Sequence, residues 1–347
     1  MAKVLCVRRN CNGGVPPQIL SSFGGHRAPL QFQKMNYPRR LKLVVGTRGS
    51  QLAVIQTEQV LQALEARWAN LKCEMKIIKT RGDDGKTAIV DVRAGRKGLF
   101  TGAIERELLA GQIDLAVHSA KDLPSALAPN TEIGAVLPRV SVDDVLVATT
   151  PCDLNSLPGD GIVATGSVRR QYQLRWKRPD LEIVDLRGNV PTRLQKLATG
   201  QWHAIILANA GLKRLGLDAE NALIKFEASE FWAALLPREV FVPAGGQGVI
   251  AIQIRSDDEQ LREMVGEISH FDTRLALRAE REFLRLLDAD CNQPIGVFAH
   301  IDGANMTVQG QIFQLGATAP REAMVGGPSE DAEKLAAQLL EKIRAGT

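Results

Sequence analysis

Two side chains in this sequence are suited to chemistry by their type and their neighbours. Asp122 follows Lys121 at the end of the apolar run Ile113-Asp114-Leu115-Ala116-Val117, so a carboxylate stands beside a cation where it could stabilise a developing positive charge. Helix capping or a surface ion pair is the plainer account of such an aspartate. Cys291 lies among Asp290, Asn292, Gln293 and Gly296, a poor setting for the small buried apolar residue that a lone cysteine usually is. A covalent role suits it. His118 has no nucleophile or carboxylate partner nearby in sequence and reads as structural, as do Cys73, alternating with Met75 and Ile77, and Cys152 before a loop. Five cysteines without C-x-x-C or Cys/His spacing argue for reduced thiols in a cytoplasmic setting, and against a disulfide framework or a metal site.

Charge identifies a third candidate. From Ser167 to Arg214 the chain carries ten Lys or Arg against Asp180, Glu182 and Asp185. The whole chain has 43 bases and 39 acids, but residues 1 to 40 hold seven bases and no acid. Without that leader and the 167 to 214 stretch, 26 bases face 36 acids, so a basic island sits in an otherwise acidic protein. Solvated helix faces would explain part of it. An anionic ligand would explain its concentration.

The elements that must position these groups follow from pattern. Gly161 to Ala164 reads as a strand, with Ser167 as N-cap of a helix beginning at Arg169 and Arg170. Leu181 to Leu186 is a second strand, followed by Arg187-Gly188-Asn189 and a helix with Pro191 in its first turn, Arg193 behind it and Gly200 to stop it. Ala204 to Ala208 is a third, turning through Asn209-Ala210-Gly211 into Lys213 and Arg214. Strands alternating with helices predict a parallel α/β sheet with ligands at the carboxyl ends of its strands, where Arg169, Arg170, Arg187, Arg193 and Arg214 fall. Arg175, Lys177 and Arg178 precede Pro179 at a helix end and are expected in solvent.

An earlier unit repeats the pattern. Leu41 to Val45 is a strand leading into Thr47-Arg48-Gly49-Ser50 and a helix to about Trp68, Cys73 to Thr80 is a second strand, and a helix near Thr101 to Leu109 precedes the strand at 113–117. Two such lobes across a cleft would set Arg48, Ser50, Lys121 and Asp122 opposite the arginines, by analogy with bilobed anion-binding proteins. Val249 to Ile254 is a strand the second lobe does not need, so it is expected to return to the first, with crossings near 138–142 and 237–240 acting as a hinge. Beyond Asp257 come a helix from about Thr273 to Leu287, the Cys291 loop, alternating segments that predict an antiparallel sheet, and a last helix from Ser329. No apolar run is long enough for a membrane span. The leader lacks the apolar core of a secretory signal and is read as disordered or as a mis-assigned start, Met35 standing close before the first strand; an organelle transit segment is the alternative.

The chemistry-bearing segments include Thr47-Arg48-Gly49-Ser50, Lys97-Gly98-Leu99-Phe100, His118-Ser119-Ala120-Lys121-Asp122, Ser167-Val168-Arg169-Arg170, Leu186-Arg187-Gly188-Asn189, Thr192-Arg193-Leu194, Pro243-Ala244-Gly245-Gly246-Gln247-Gly248 and Cys291-Asn292-Gln293-Pro294. Together, and in order from about residue 41 to the end, they resemble the porphobilinogen deaminase family, also called hydroxymethylbilane synthases. The resemblance implies an α/β fold with two periplasmic-binding-protein-like (type II) lobes plus a smaller α+β C-terminal domain with an antiparallel sheet. The corresponding division is a leader at 1–40, a first domain of 41–138 with 238–255, a second of 142–236, and a third of 257–347. It further implies a transferase of tetrapyrrole synthesis that condenses four porphobilinogen molecules on a dipyrromethane held covalently by Cys291, releases ammonia at each step, and frees the product by hydrolysis. On that reading Asp122 is catalytic, Ser119, Lys121, Arg169 and Arg170 hold the cofactor, and Arg48, Ser50, Arg187, Arg193 and Arg214 hold substrate carboxylates. The partner is the small-molecule substrate, with no nucleic acid or membrane, and the chain is a monomer in the cytoplasm.

The chain departs from the family pattern in three places. Ala289-Asp290 replaces glycines before Cys291, and an acid there should raise the thiol pKa and slow cofactor loading. The 83–96 loop is longer and more polar than usual, and the helix after Phe100 lacks a customary Lys-Glu pair. A non-catalytic bilobed anion sensor is the rival reading; it would need neither Asp122 nor a modified Cys291. A nucleic-acid binder fits poorly, because aromatics make up 5% of residues and Trp176 and Trp202 do not interleave with the strand-end arginines.

Overall fold

The computed structural model describes residues 40–80, 101–200, 202–217, 222–289, 293–314 and 316–346, all within one compact unit running from Pro38 to Thr347. The expectations for the leader, the 83–96 loop, the Lys97 motif, Asp290 and Cys291 fall outside these residues.

The first lobe begins with β1 (Lys42–Thr47), α1 (Gln51–Arg67), β2 (Lys72–Ile77), α2 (Gly102–Leu109), β3 (Leu115–Ser119) and β4 (Thr131–Val136). Ser50 starts α1 by accepting the Ala53 backbone N–H, and the helix lays Val60 and Leu64 onto the sheet, where both are fully buried. The chain then crosses to the second lobe: β5 (Asp144–Ala148), β6 (Ile162–Ala164), α3 (Val168–Lys177), β7 (Glu182–Val184), α4 (Val190–Thr199), β8 (Ala204–Ala208), α5 (Asn209–Arg214), β9 (Leu223–Phe226) and β10 (Ser229–Leu235). It returns through β11 (Ile250–Arg255), which lies antiparallel between β3 and β4.

The sheet orders are β2-β1-β3-β11-β4 and β7-β6-β8-β5-β10-β9. Each has three parallel strands followed by an antiparallel strand delivered from the other lobe's side of the chain. The parallel expectation for the second lobe therefore holds for β7, β6 and β8 only. Pattern reading passed over β4, β5, β9 and β10, which form the antiparallel halves. β5 is buried along its whole length, so it shows no alternation.

The remainder is α6 (Glu259–Gly266), α7 (Phe271–Leu286), β12 (Ile295–Asp302), β13 (Asn305–Ile312), β14 (Arg321–Pro328) and α8 (Ala332–Ala345). The last three strands form an antiparallel sheet, and α7 and α8 pack on it through Ala279, Phe283, Leu335 and Leu339. By contrast, α6 places Leu261, Met264 and Val265 in the core of the first sheet. The last helix begins three residues later than its expected start at Ser329, because 329–331 form a 3-10 turn.

Candidate active site

β3 ends in a 3-10 turn, Ala120–Asp122, that carries Lys121 and Asp122. The Ala120 N–H donates to the Val249 carbonyl at 2.9 Å, tying the turn to the segment entering β11. Gly246, at φ +76°, lets the 243–248 loop press against the turn, since a Cβ there would stand 3.0 Å from the Ala120 carbonyl carbon and the Lys121 nitrogen. That loop is held in turn by Glu280 of α7, which is fully buried. Glu280 accepts from the Gly246 N–H at 2.7 Å, the Ala299 N–H at 2.8 Å and Arg139 Nη1 at 2.6 Å. Asp122 is exposed and Lys121 half-buried. Removal from water pulls the Lys121 ammonium down to about 8, aided by Arg170 and Arg169 and opposed by Asp122 and Asp144.

The facing wall comes from α3 and α4. Arg169 and Arg170 are both buried, and both meet Asp144 at the start of β5: Arg169 Nη1 reaches Oδ2 at 2.8 Å and Arg170 Nη2 reaches Oδ1 at 2.8 Å. Gln247 Nε2 adds a third bond to Oδ1 at 2.9 Å. Arg169 also donates to Gln173 and the Val242 carbonyl, and Arg170 to the Ile206 carbonyl. Burial raises the Asp144 pKa, but the two guanidiniums overrule it, and its carboxyl lies well below the usual range. Two guanidiniums on one carboxylate leave a net positive charge. The Nε atoms of Arg169 and Arg170 are buried without a hydrogen-bond partner among the described residues, which favours an anion in front of them. Arg193 donates from Nε to the Gly188 carbonyl at 2.7 Å. Burial pulls it down to about 10, with Arg170 adding to the effect and Asp122 and Asp185 opposing it.

The two walls enclose a cleft of about 300 Å³ whose lining includes Lys121, Asp122, Ser167, Arg169, Arg170 and Arg193. Arg281 of α7, which sequence reasoning missed, also lines it, as do Ala289 and Gln293, the described residues flanking 290–292. Arg48, Ser50, Ser119, Arg187 and Arg214 do not line this cleft. Ser50 caps α1, and the Ser119 hydroxyl exchanges hydrogen bonds with the Gln56 amide. Arg214 donates to the Gly248 carbonyl at 2.8 Å, and exposed Arg187 pairs with Asp185. His118 is buried and held neutral, its pKa lowered to about 4 by burial and by Arg48 against a hydrogen bond to Gln253.

Two local expectations are corrected. The Ser167 side chain makes no capping bond on α3 and stands on the cleft wall instead. Arg178 is not a solvent group: it donates to the Leu154 and Leu157 carbonyls and pairs with Asp180, stitching the 154–158 loop to the helix end. Asp144 was also missed, though an acid opening the run Asp144-Val145-Leu146-Val147-Ala148 signals a buried charge needing partners. Among the described residues no group of three His, Cys, Asp or Glu could hold a metal ion, and no helix is long and apolar enough to cross a membrane.

Comparison with known proteins decides the lineage. The family model for the porphobilinogen deaminase dipyrromethane cofactor binding domain matches residues 43–263, and that for the porphobilinogen deaminase C-terminal domain matches 274–345. The chain belongs to the porphobilinogen deaminase family. The porphobilinogen deaminase of Moorella thermoacetica is 41% identical over 308 residues, covering 88% of this chain and 94% of its own. That of a Roseiflexus species is 44% identical over 273 residues, covering 78% and 85%. Family membership makes the chain a transferase of tetrapyrrole synthesis with a dipyrromethane cofactor, and it favours the enzyme over the non-catalytic sensor.

Proposed function

We propose that the cleft between the lobes is where this chain condenses porphobilinogen, four molecules in turn, onto a dipyrromethane carried by Cys291, with loss of ammonia at each step and final hydrolysis to hydroxymethylbilane. One observation carries the assignment of the site: a single cleft is lined by Asp122, by Lys121, Arg169, Arg170 and Arg193, and by both described flanks of the Cys291 loop. The residues present fit the cofactor. A dipyrromethane with acetate and propionate arms needs several cations around two rings, and the cleft supplies them with buried N–H groups still lacking partners. When bound, the cofactor supplies the nucleophilic pyrrole carbon on which the chain is built.

The protein's own groups do the rest. Arg169 and Arg170, locked by Asp144, form a preorganised anion wall, and with Lys121 and Ser119 they are assigned to cofactor carboxylates. Arg193 is assigned to substrate carboxylates within the cleft, and Arg48, Ser50, Arg187 and Arg214 to arms that extend beyond it. In porphobilinogen the aminomethyl C–N bond breaks with its electron pair leaving on ammonia, and the ring nitrogen's electrons fill in behind it. Positive charge therefore appears at the ring N–H. The exposed Asp122 carboxylate accepts that N–H and stabilises the charge, an effect worth about 3–4 kcal/mol for one well-placed group. Because Asp122 is fixed by a turn braced through Gly246 and Glu280, it needs little reorganisation as the charge develops.

The division proposed is 41–138 with 238–255, 142–236 and 257–347, with α6 at the start of the third segment packing against the core of the first. The chain is assigned as a cytoplasmic monomer that binds no nucleic acid. Intact mass of the purified protein tests the function directly: a two-pyrrole increment and a colour with acidic pyrrole reagent are expected, and both should vanish in Cys291→Ser. An unmodified protein that binds porphobilinogen without turnover would refute it.

A further inference from the structure

On the far side of the Asp122 segment lies a second cavity, of about 340 Å³, between β4 and one face of α7. Its floor is apolar, made by Leu127, Ile133, Val136 and Leu277. Arg274, Arg278, Arg281 and Arg285 recur along its rim at helical spacing. The three acids on the rim are already paired: Glu132 with Arg262, Glu282 with Arg285 and Glu333 with Arg278. Arg274 and Arg281 meet no carboxylate among the described residues. Arg281 Nη2 instead donates to the Pro124 and Ser125 carbonyls at 2.9 and 3.0 Å. Burial lowers Arg281 to about 10, as expected of a guanidinium taken from water without an anion. Arg281 and Ser125 line both cavities, so they stand in a common wall.

We propose that this groove is a second, regulatory site for a single-ring dicarboxylate of the substrate's class, its ring on Ile133 and Leu127 and its carboxylates on Arg274 and Arg281. The volume admits one ring with two short arms, and the apolar floor between two guanidiniums selects a ring dicarboxylate over a simple anion. A carboxylate that engages Arg281 competes with the carbonyls of Pro124 and Ser125. Those carbonyls anchor the segment following Asp122, so filling the groove loosens the catalytic turn and slows condensation at high substrate concentration. The identity of the ligand, though not the existence of the site, rests on the porphobilinogen reading.

The test uses the dipyrromethane-loaded enzyme and a non-reactive probe, a benzene ring with adjacent acetate and propionate arms. Calorimetry is expected to resolve two sites in the unmodified enzyme. Arg274→Glu, at an exposed position outside the main cleft, should weaken one of them by about tenfold or more while leaving the other and the low-substrate rate within about twofold. It should also abolish inhibition by excess substrate, and Arg274→Lys should restore much of both. A single site, two sites indifferent to Arg274→Glu, or displacement of the groove-bound probe by an equal concentration of inorganic phosphate would each overturn the proposal. Failure of the underlying function appears separately, as a missing cofactor mass, whatever the probe does.

Discussion

The two lobes share a sheet plan but handle charge in opposite ways. In the second lobe the acid near the cleft, Asp144, is buried and bonded by two arginines and a glutamine, so its role there is to build and hold a positive wall. In the first lobe Asp122 rides a one-turn extension of β3, exposed, while the bracing is done behind it by Glu280 and Gly246. A paired buried charge supplies rigidity. An exposed carboxylate on a rigid turn can still respond to charge appearing in front of it. Similar topology thus yields a buried, paired acid on one side and an exposed acid on the cleft wall on the other.

Substitution of the two acids should separate those roles most sharply. Asp122→Ala is expected to lower turnover by about a hundredfold or more, with the cofactor mass retained and the melting temperature nearly unchanged. Asp144→Ala should instead cost about 3–5 kcal/mol of stability by stranding two buried guanidiniums, read by denaturant titration. Comparable melting of the two variants would erase the distinction.

Acid should act through the first lobe. His118 is neutral when folded, with a pKa of about 4, whereas the unfolded chain takes up its proton below the ordinary 6.5. The unfolded state then binds more protons between these values, so stability falls as pH drops from 6.5 to about 4 and falls no further on this account below that. The change is roughly 3 kcal/mol, and His118→Gln should flatten that window. In alkali, Lys121 loses its charge as pH rises through about 8, so its hold on the cofactor carboxylates should weaken and turnover should fall several-fold above that pH. Turnover unchanged up to pH 9.5 would remove Lys121 from holding the cofactor carboxylates. Smallest of all, Arg187→Ala should change stability by less than about 1 kcal/mol, since its pair with Asp185 is exposed. Its effect should appear only in late condensation intermediates resolved by mass.

Much of this was legible in linear order. The helices after Ser50 and Asn189 begin where expected, and the strand ends at 119 and 208 lead into the polar residues expected there. Asp144 and Arg281 were harder to find, for different reasons. Asp144 opens an apolar strand whose partners lie on α3 and in the 243–248 loop, so neither its burial nor its pairing is a local property. Arg281 is one of several arginines on α7, and only the packing of that helix beside Pro124 and Ser125 sets it apart from Arg278, which meets Glu333. Arg178 erred in the other direction, since a helix-end base before a proline looks solvated until the 154–158 loop folds over it.

By itself the sequence determined the local grammar of strands, caps and turns, the surplus of positive charge in one stretch, and the collinear motifs that announced the family. These depend on side chains interacting with their own backbone neighbourhood and on the order of residues, which folding does not alter. Only the tertiary structure decided which bases are tied into the framework and which line the cleft. A guanidinium's role depends on whether a carboxylate, a carbonyl or water meets it, and those partners arrive from positions far along the chain.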